Sequence, residues 1–254
     1  MLKDKICIIT GAASGIGLAI AQSFAREGSK VIMSDVNQTT LEQEAKTIKA
    51  DYFVSDLSTQ KGCKDLVDYT LQKYSKVDIL INNAGIQHVS PIEDFPEDKW
   101  NFIISLMLTA PFLLTKYVWP SMKAQKWGRI ININSIHGIR ASEFKVAYIS
   151  AKHGLSGLTK VAALEGAPYG ITVNSICPSY VRTPLVDNQI DDQAKTHNIP
   201  REKVIEEIML KKAAIKKLIE PNDIAEVAKF LCTSTVADYI TGSMMTIDCG
   251  WSAS

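Results

Sequence analysis

The chain has 254 residues, 46% of them apolar, with 28 Lys and Arg against 27 Asp and Glu and a formal net charge of +1. That length suffices for a sizeable hydrophobic core. The near-neutral balance argues against a nucleic-acid binder, which presents a basic face, and a charged fraction of 22% argues against wholesale disorder.

The first residues, MLKDKICIITG, pass from charges straight into a β-branched stretch. No basic segment, long apolar segment and small-residue cleavage site follow one another, so no secretory leader is expected. Apolar, β-rich runs predict strands over residues 5–10, 30–35, 51–55, 77–82, 128–134, 170–177 and 243–248. Amphipathic patterns between them predict helices over 15–27, 60–74, 100–124, 147–167 and 221–232. Short apolar strands alternating with helices imply an α/β fold, a seven-stranded parallel sheet covered on both faces. No repeat, low-complexity tract or linker divides the chain, so residues 1–254 are expected to form one doubly wound domain. Its ligands should bind beyond the carboxyl ends of the strands.

The greasiest stretch, 102–114, is interrupted by Ser105, Thr109 and Pro111 and is expected to be too short and broken to span a bilayer. Cys7, Cys63, Cys177, Cys232 and Cys249 are odd in number, far apart and without a CxxC pair, which predicts reduced thiols in a cytoplasmic protein. Residues 181–219 break the rhythm, being polar and helical in composition, with Lys211, Lys212, Lys216 and Lys217 near the end. An insertion this long between a strand and a helix is expected to act as a substrate lid.

The first strand ends in Thr10-Gly11-Ala12-Ala13-Ser14-Gly15-Ile16-Gly17. Glycines let the chain turn sharply and let backbone N–H groups approach a pyrophosphate, and the helix that follows aims its positive end at the phosphates. Gly11, Ser14, Ile16 and Gly17 are therefore candidate dinucleotide contacts. Asp35 closes the second strand, where a carboxylate can accept hydrogen bonds from both adenosine ribose hydroxyls and would repel a 2′-phosphate. NAD is thus expected over NADP. A capping role for Asp35 at the following helix is the simpler alternative.

The glycine turn, the run Asn82-Asn83-Ala84-Gly85, Ser135 and the pair Tyr148-xxx-Lys152 together resemble the short-chain dehydrogenase/reductase family over essentially the whole chain. Within it, residues 127–138, Ala151-Lys152-His153-Gly154, Pro184-Leu185-Val186 and Asp248-Cys249-Gly250-Trp251 resemble the D-3-hydroxybutyrate dehydrogenases. The resemblance implies a Rossmann-type fold, a homotetramer, NAD as cofactor and a small 3-hydroxy or 3-oxo acid as partner, with no nucleic acid or membrane. It implies catalytic roles for Ser135, Tyr148 and Lys152. It places Asp56 and Leu57 by the adenine, Asn83, Ala84 and Gly85 by the ribose, and Val181 and Thr183 by the carboxamide. Substrate contacts are implied at Gln87, Ser135, His137, Lys145, Tyr148, Gln189 and Trp251. No metal site is expected.

The chemistry of the residues agrees. Tyr148 and Lys152 lie on one helical face. A phenol ionises near pH 10, and a neighbouring ammonium is expected to bring that value toward the working range. The Ser135 hydroxyl can bind the oxygen of the reacting carbinol or carbonyl. Lys145 offers a charge for a carboxylate, and Gln87, His137 and Gln189 offer N–H donors.

Three positions depart from the family. Met107 stands where an asparagine usually helps hold a water between the active lysine and solvent. Ser179 stands for glycine, and Tyr180 for the tryptophan of the hydroxybutyrate group. Competing readings are a 3-oxoacyl-thioester reductase or other alcohol or sugar dehydrogenase, and, because of Met107, a catalytically weakened NAD(H)-binding protein.

Overall fold

Burial on both faces explains the uninterrupted apolar runs at the centre of the sheet. In the computed structural model, which describes residues 2–253, β1 (Ile6–Thr10), β4 (Ile79–Asn82) and β5 (Gly128–Ile133) are buried at every position. They are flanked by β2 (Lys30–Asp35) and β3 (Asp51–Val54) on one side and by β6 (Ile171–Pro178) and β7 (Met244–Ile247) on the other. The order is β3-β2-β1-β4-β5-β6-β7, all parallel. At the edge, β3 alternates half-buried and exposed residues.

Successive residues of each strand serve opposite layers. Cys7 and Ile9 face Ile20 and Phe24 of α1 (Gly15–Arg26) and Ile224 and Leu231 of α8 (Pro221–Thr233). Ile6 and Ile8 face Leu66 of α3 (Gln60–Tyr74), Leu114 and Val118 of α5 (Ala110–Gln125) and Ala162 of α6 (Val146–Gly166). The order of connection reverses between β1 and β4, and a crevice opens there at the strands' carboxyl ends.

Several elements differ from the sequence expectation. The helix α2 (Gln38–Ile48) was not anticipated; it buries only Leu41 and Ala45 and is capped by Asn37, whose side chain accepts from the Thr40 N–H at 3.2 Å. The helix expected over 100–124 begins earlier, as α4 (Glu97–Ile104), and passes through a π turn, Ser105–Thr109, before continuing as α5. Pro111 follows closely on the π turn inside this helical run, where it removes one backbone donor. The run Glu97–Gln125 is nonetheless continuous over 29 residues at mean hydropathy 1.5, long and apolar enough by those criteria alone to cross a membrane. Here it lies along α3 and α6.

The insertion 181–219 holds one long helix, α7 (Pro184–His197), followed by a short 3-10 turn and a π turn, Ile205–Met209. Val186, Ile190, Val204 and Met209 give it a small core of its own, against which Tyr180 packs. Its two ends are tied together: Arg182 N donates to Ile219 O at 2.8 Å and Ile219 N to Tyr180 O at 3.0 Å. All five cysteines are free, four buried and Cys249 half-buried.

Candidate active site

The glycine turn is shaped by close approach. Gly11 has φ +61°, and a Cβ on Gly17 would lie 2.3 Å from the Gly11 carbonyl oxygen, so α1 can follow β1 this tightly only with glycine there. Thr10 and Asn83 hold the turn. The Thr10 hydroxyl accepts from the backbone N–H groups of Asn83 (2.9 Å) and Ala84 (3.0 Å), and Asn83 Nδ2 donates to the carbonyls of Thr10 (2.9 Å) and Gly11 (3.0 Å). The Asn83 side chain is thus a brace for the turn. Ser14 begins α1, exposed, with a hydroxyl that makes no capping hydrogen bond.

Two clefts meet at Gly85, which borders both. The outer one, of about 540 Å³, is lined by Gly11, Asp35, Asp56, Leu57 and Ala84 among others. Asp35 accepts from Ala13 N (3.2 Å) and from Asn37 N (3.0 Å), with the true helix cap being Asn37. Asp56 accepts from the Ser58 N–H at 2.9 Å and its hydroxyl at 2.7 Å. A trough with a glycine cradle and uncapped helix end at its middle and a carboxylate at its outer end fits an extended dinucleotide.

The inner cleft, of about 720 Å³, brings together Ile16, Asn83, Gly85, Val181 and Thr183 with Gln87, Ser135, His137, Lys145, Tyr148, Lys152, Gln189 and Trp251. Ser135 sits just beyond β5, its N–H donating to Asn134 Oδ1 (2.9 Å) and its hydroxyl accepting from His137 N (3.1 Å). Thr183 caps α7 and donates its hydroxyl proton to Val181 O at 3.2 Å. Gln189 Nε2 donates to Leu185 O (3.1 Å), and Gln87 Oε1 accepts from His88 N (3.1 Å). Lys145 is buried and donates to the Tyr180 hydroxyl at 3.0 Å. Tyr180 stacks on Trp251 with 6.2 Å between centroids, and His137 meets Trp251 edge-on at 5.2 Å and Tyr148 edge-on at 6.2 Å. Those rings form one wall.

The expected acidification of Tyr148 is not what the protein environment produces. Burial pushes the phenol up, to about 12, and the facing Ser135 hydroxyl only partly offsets it. Lys152 is subject to the same burial. Its ammonium is buried, donates to Ile133 O at 2.6 Å, and is driven by desolvation from 10.5 down to about 8. Burial disfavours the charged form of both groups, and the neighbouring Tyr180 and Cys177 raise the phenol further. His137 is held neutral, at about 3, by burial first and the nearby Lys145 charge second. It can therefore take part as a neutral hydrogen-bonding ring.

Met107, on the π turn, is buried and packs with Ile103, Ala147, Ala151 and Tyr148. Its methyl group lies 3.3 Å from where a Cβ on Gly85 would stand. Ser179 and Tyr180 also line the inner cleft.

Three contributors went unread in the sequence: Thr10 and Asn134 as braces, and Tyr180 as the partner of Lys145. Asn134 Nδ2 donates to the Ser156 hydroxyl (3.0 Å), and that hydroxyl donates to Gly138 O (2.9 Å), fixing the turn that carries Ser135. Polar residues in a strand buried on both faces, as in Ile-Asn-Ile-Asn, were the available signal, because each such group needs a partner.

A family model described as short chain dehydrogenase matches residues 5–194. An uncharacterized oxidoreductase of Bacillus subtilis, YxjF, is 46% identical over 99% of this chain and 100% of its own. A D-beta-hydroxybutyrate dehydrogenase of Cupriavidus necator is 41% identical, with both chains covered completely. Among solved structures, a variant of an actinorhodin polyketide ketoreductase crystallised with NADPH superposes with a TM-score of 0.93 at 29% identity, over 98% of this chain and 97% of that one.

Proposed function

The chain belongs to the short-chain dehydrogenase family, and from that premise we propose that it interconverts D-3-hydroxybutyrate and acetoacetate with NAD. The observation that carries the substrate reading is Lys145, a buried ammonium in the same cleft as Ser135 and Tyr148. A small 3-hydroxy acid has one carboxylate and one reacting hydroxyl. Lys145 offers the counter-charge for the first, with Gln87, His137 and Gln189 beside it, while Ser135 and Tyr148 face the second. The similarity to the Cupriavidus necator enzyme supports this reading. For the cofactor, Asp35 in the outer cleft supports NAD, since its carboxylate suits a ribose diol and repels a 2′-phosphate.

The dinucleotide, bound along the two clefts, supplies the hydride acceptor for oxidation and the hydride donor for reduction. The protein's own part is to bind, orient and move a proton. Ser135 Oγ donates a hydrogen bond to the reacting oxygen and holds it toward Tyr148. In reduction, Tyr148 Oη gives its proton to that oxygen; in oxidation it accepts the carbinol proton. Lys152, fixed by the Ile133 carbonyl, supplies positive charge beneath the phenol while it remains protonated. The stacked Tyr180 and Trp251 rings and the Met107 side chain keep water from the reacting carbon.

The test is to follow NADH absorbance with purified protein, NAD and each enantiomer of 3-hydroxybutyrate. Oxidation of the D form, abolished in Tyr148→Phe, is expected. Silence with both enantiomers alongside tight NADH binding would favour a sensor instead. We also propose a homotetramer, supported by the exposed apolar side chains Trp100, Phe102, Phe112, Val161 and Leu164 along α4, α5 and α6; sedimentation measures it.

A further inference from the structure

Behind the wall of the inner cleft lies a second cavity. Lys145, Tyr180 and Trp251 border both spaces, so the far side of that wall faces a solvent-open chamber of about 1260 Å³ on the lid side. Gln193 of α7, only 2% exposed, also lines this chamber. A buried side-chain amide is a strong hydrogen-bonding group that protein, water or a ligand can satisfy. Lys211 and Lys212 line the same space, both exposed and neither in an ion pair with a described residue, and Lys212 Nζ stands 5.8 Å over the Trp251 ring. The chamber's lining also includes His197 and, among the described residues, a single carboxylate, Glu143, against the three lysines. Ammonium groups joined with an amide donor recognise an oxyanion.

We propose that this lid-side chamber is a second anion site, a staging position for the carboxylate of an incoming 3-hydroxy or 3-oxo acid. The substrate part rests on the function proposed above; the anion site itself does not. Gln193, Lys211 and Lys212 receive the carboxylate from solvent. Lys145, held at the boundary by the Tyr180 hydroxyl, is, among the described residues, the cation that borders both compartments, so the carboxylate exchanges partners there without losing its counter-charge.

The probe is trifluoroacetate, a carboxylate with no hydroxyl to oxidise, in equilibrium dialysis quantified by fluorine NMR. Wild-type protein is expected to bind two equivalents per chain. The double variant Lys211→Gln/Lys212→Gln, altered only at exposed positions, and Gln193→Leu are each expected to bind one. In turnover, the double variant is expected to lower kcat/KM for the acid by about tenfold at low ionic strength with kcat unchanged, the difference shrinking as salt screens the charges. One equivalent in wild type and variants alike, or a kcat/KM that ignores both substitutions, would overturn the proposal. Inorganic phosphate that binds wild type and is lost from the double variant, where trifluoroacetate gives only one equivalent throughout, would also overturn it, in favour of a phosphate site. If wild type oxidises no 3-hydroxy acid, the substrate reading fails, and the dialysis still reads the anion site.

Discussion

Replacing Lys152 by methionine should make the protein more stable while disabling it. The ammonium is 5% exposed and has one carbonyl, Ile133 O, as its hydrogen-bond partner. Desolvation lowers its pKa from 10.5 to about 8, which at about 1.36 kcal/mol per tenfold corresponds to roughly 3 kcal/mol of cost to folding with the charge in place. Methionine keeps the stem and removes the charge. It also leaves the Ile133 carbonyl without that donor, a loss of about 1–2 kcal/mol. The net expectation is a gain of about 1–2 kcal/mol at pH 7, or a Tm higher by roughly 2–8 °C for a chain of this size. The sign depends on pH in a defined way. Between the folded value near 8 and the unfolded 10.5, the unfolded state binds more protons, so wild-type stability rises through that window. The advantage of Lys152→Met should therefore be full well below pH 8, vanish between about pH 9 and 10, and reverse by about pH 10.5, where only the lost hydrogen bond remains. Calorimetric melts of both proteins at a series of pH values measure this, with NADH assays alongside expected to show a loss of about 10²–10⁴-fold. A variant less stable than wild type at pH 7, or a difference indifferent to pH, refutes the reasoning.

His137, neutral in the fold with its value near 3 against an ordinary 6.5, makes the protein acid-labile. The unfolded chain binds the extra proton, so stability should fall as pH drops from 6.5 toward 3, by up to about 4–5 kcal/mol, and His137→Asn should flatten urea-unfolding midpoints across that range. Asp35→Ser should relax the choice between dinucleotides, raising NADP-linked kcat/KM relative to NAD-linked by about 10–100-fold, roughly 1.4–2.7 kcal/mol; an unchanged ratio would show that Asp35 does not select the cofactor. Met107→Asn should raise turnover several-fold by returning a donor and acceptor to the cleft, and an unchanged or lower kcat counts against that account.

The sheet was legible because strands buried on both faces must be apolar throughout, and their spacing left little choice of architecture. α2 was not, since two buried residues in eleven make too faint a stripe, and its determinant is a local cap at Asn37. The π turn at Ser105–Thr109 leaves no mark in a pattern of mostly apolar residues. In the site, Tyr148, Lys152 and Ser135 could be placed by spacing and resemblance. The direction of the tyrosine's acidity could not, because it is decided by how much water the fold removes, and helical spacing alone describes only the ammonium.

Met107 connects these points. A side chain that neither donates nor ionises, packed with Ala147, Ala151 and Tyr148 at the floor of the cleft, deepens the desolvation that is the first cause of both the raised phenol and the lowered ammonium. The protein alone thus holds the proton on Tyr148 and lets Lys152 lose its own above about pH 8. Reduction needs both groups protonated, so its rate should decline above that pH. Oxidation needs an unprotonated phenol and should climb with pH until the loss of the ammonium opposes it. A polar group at position 107 would rehydrate the ammonium, raise its pKa and carry the reductive limb to higher pH. The same substitution that tests turnover therefore also tests whether dryness at Met107, rather than the tyrosine–lysine spacing, sets the pH at which this site works.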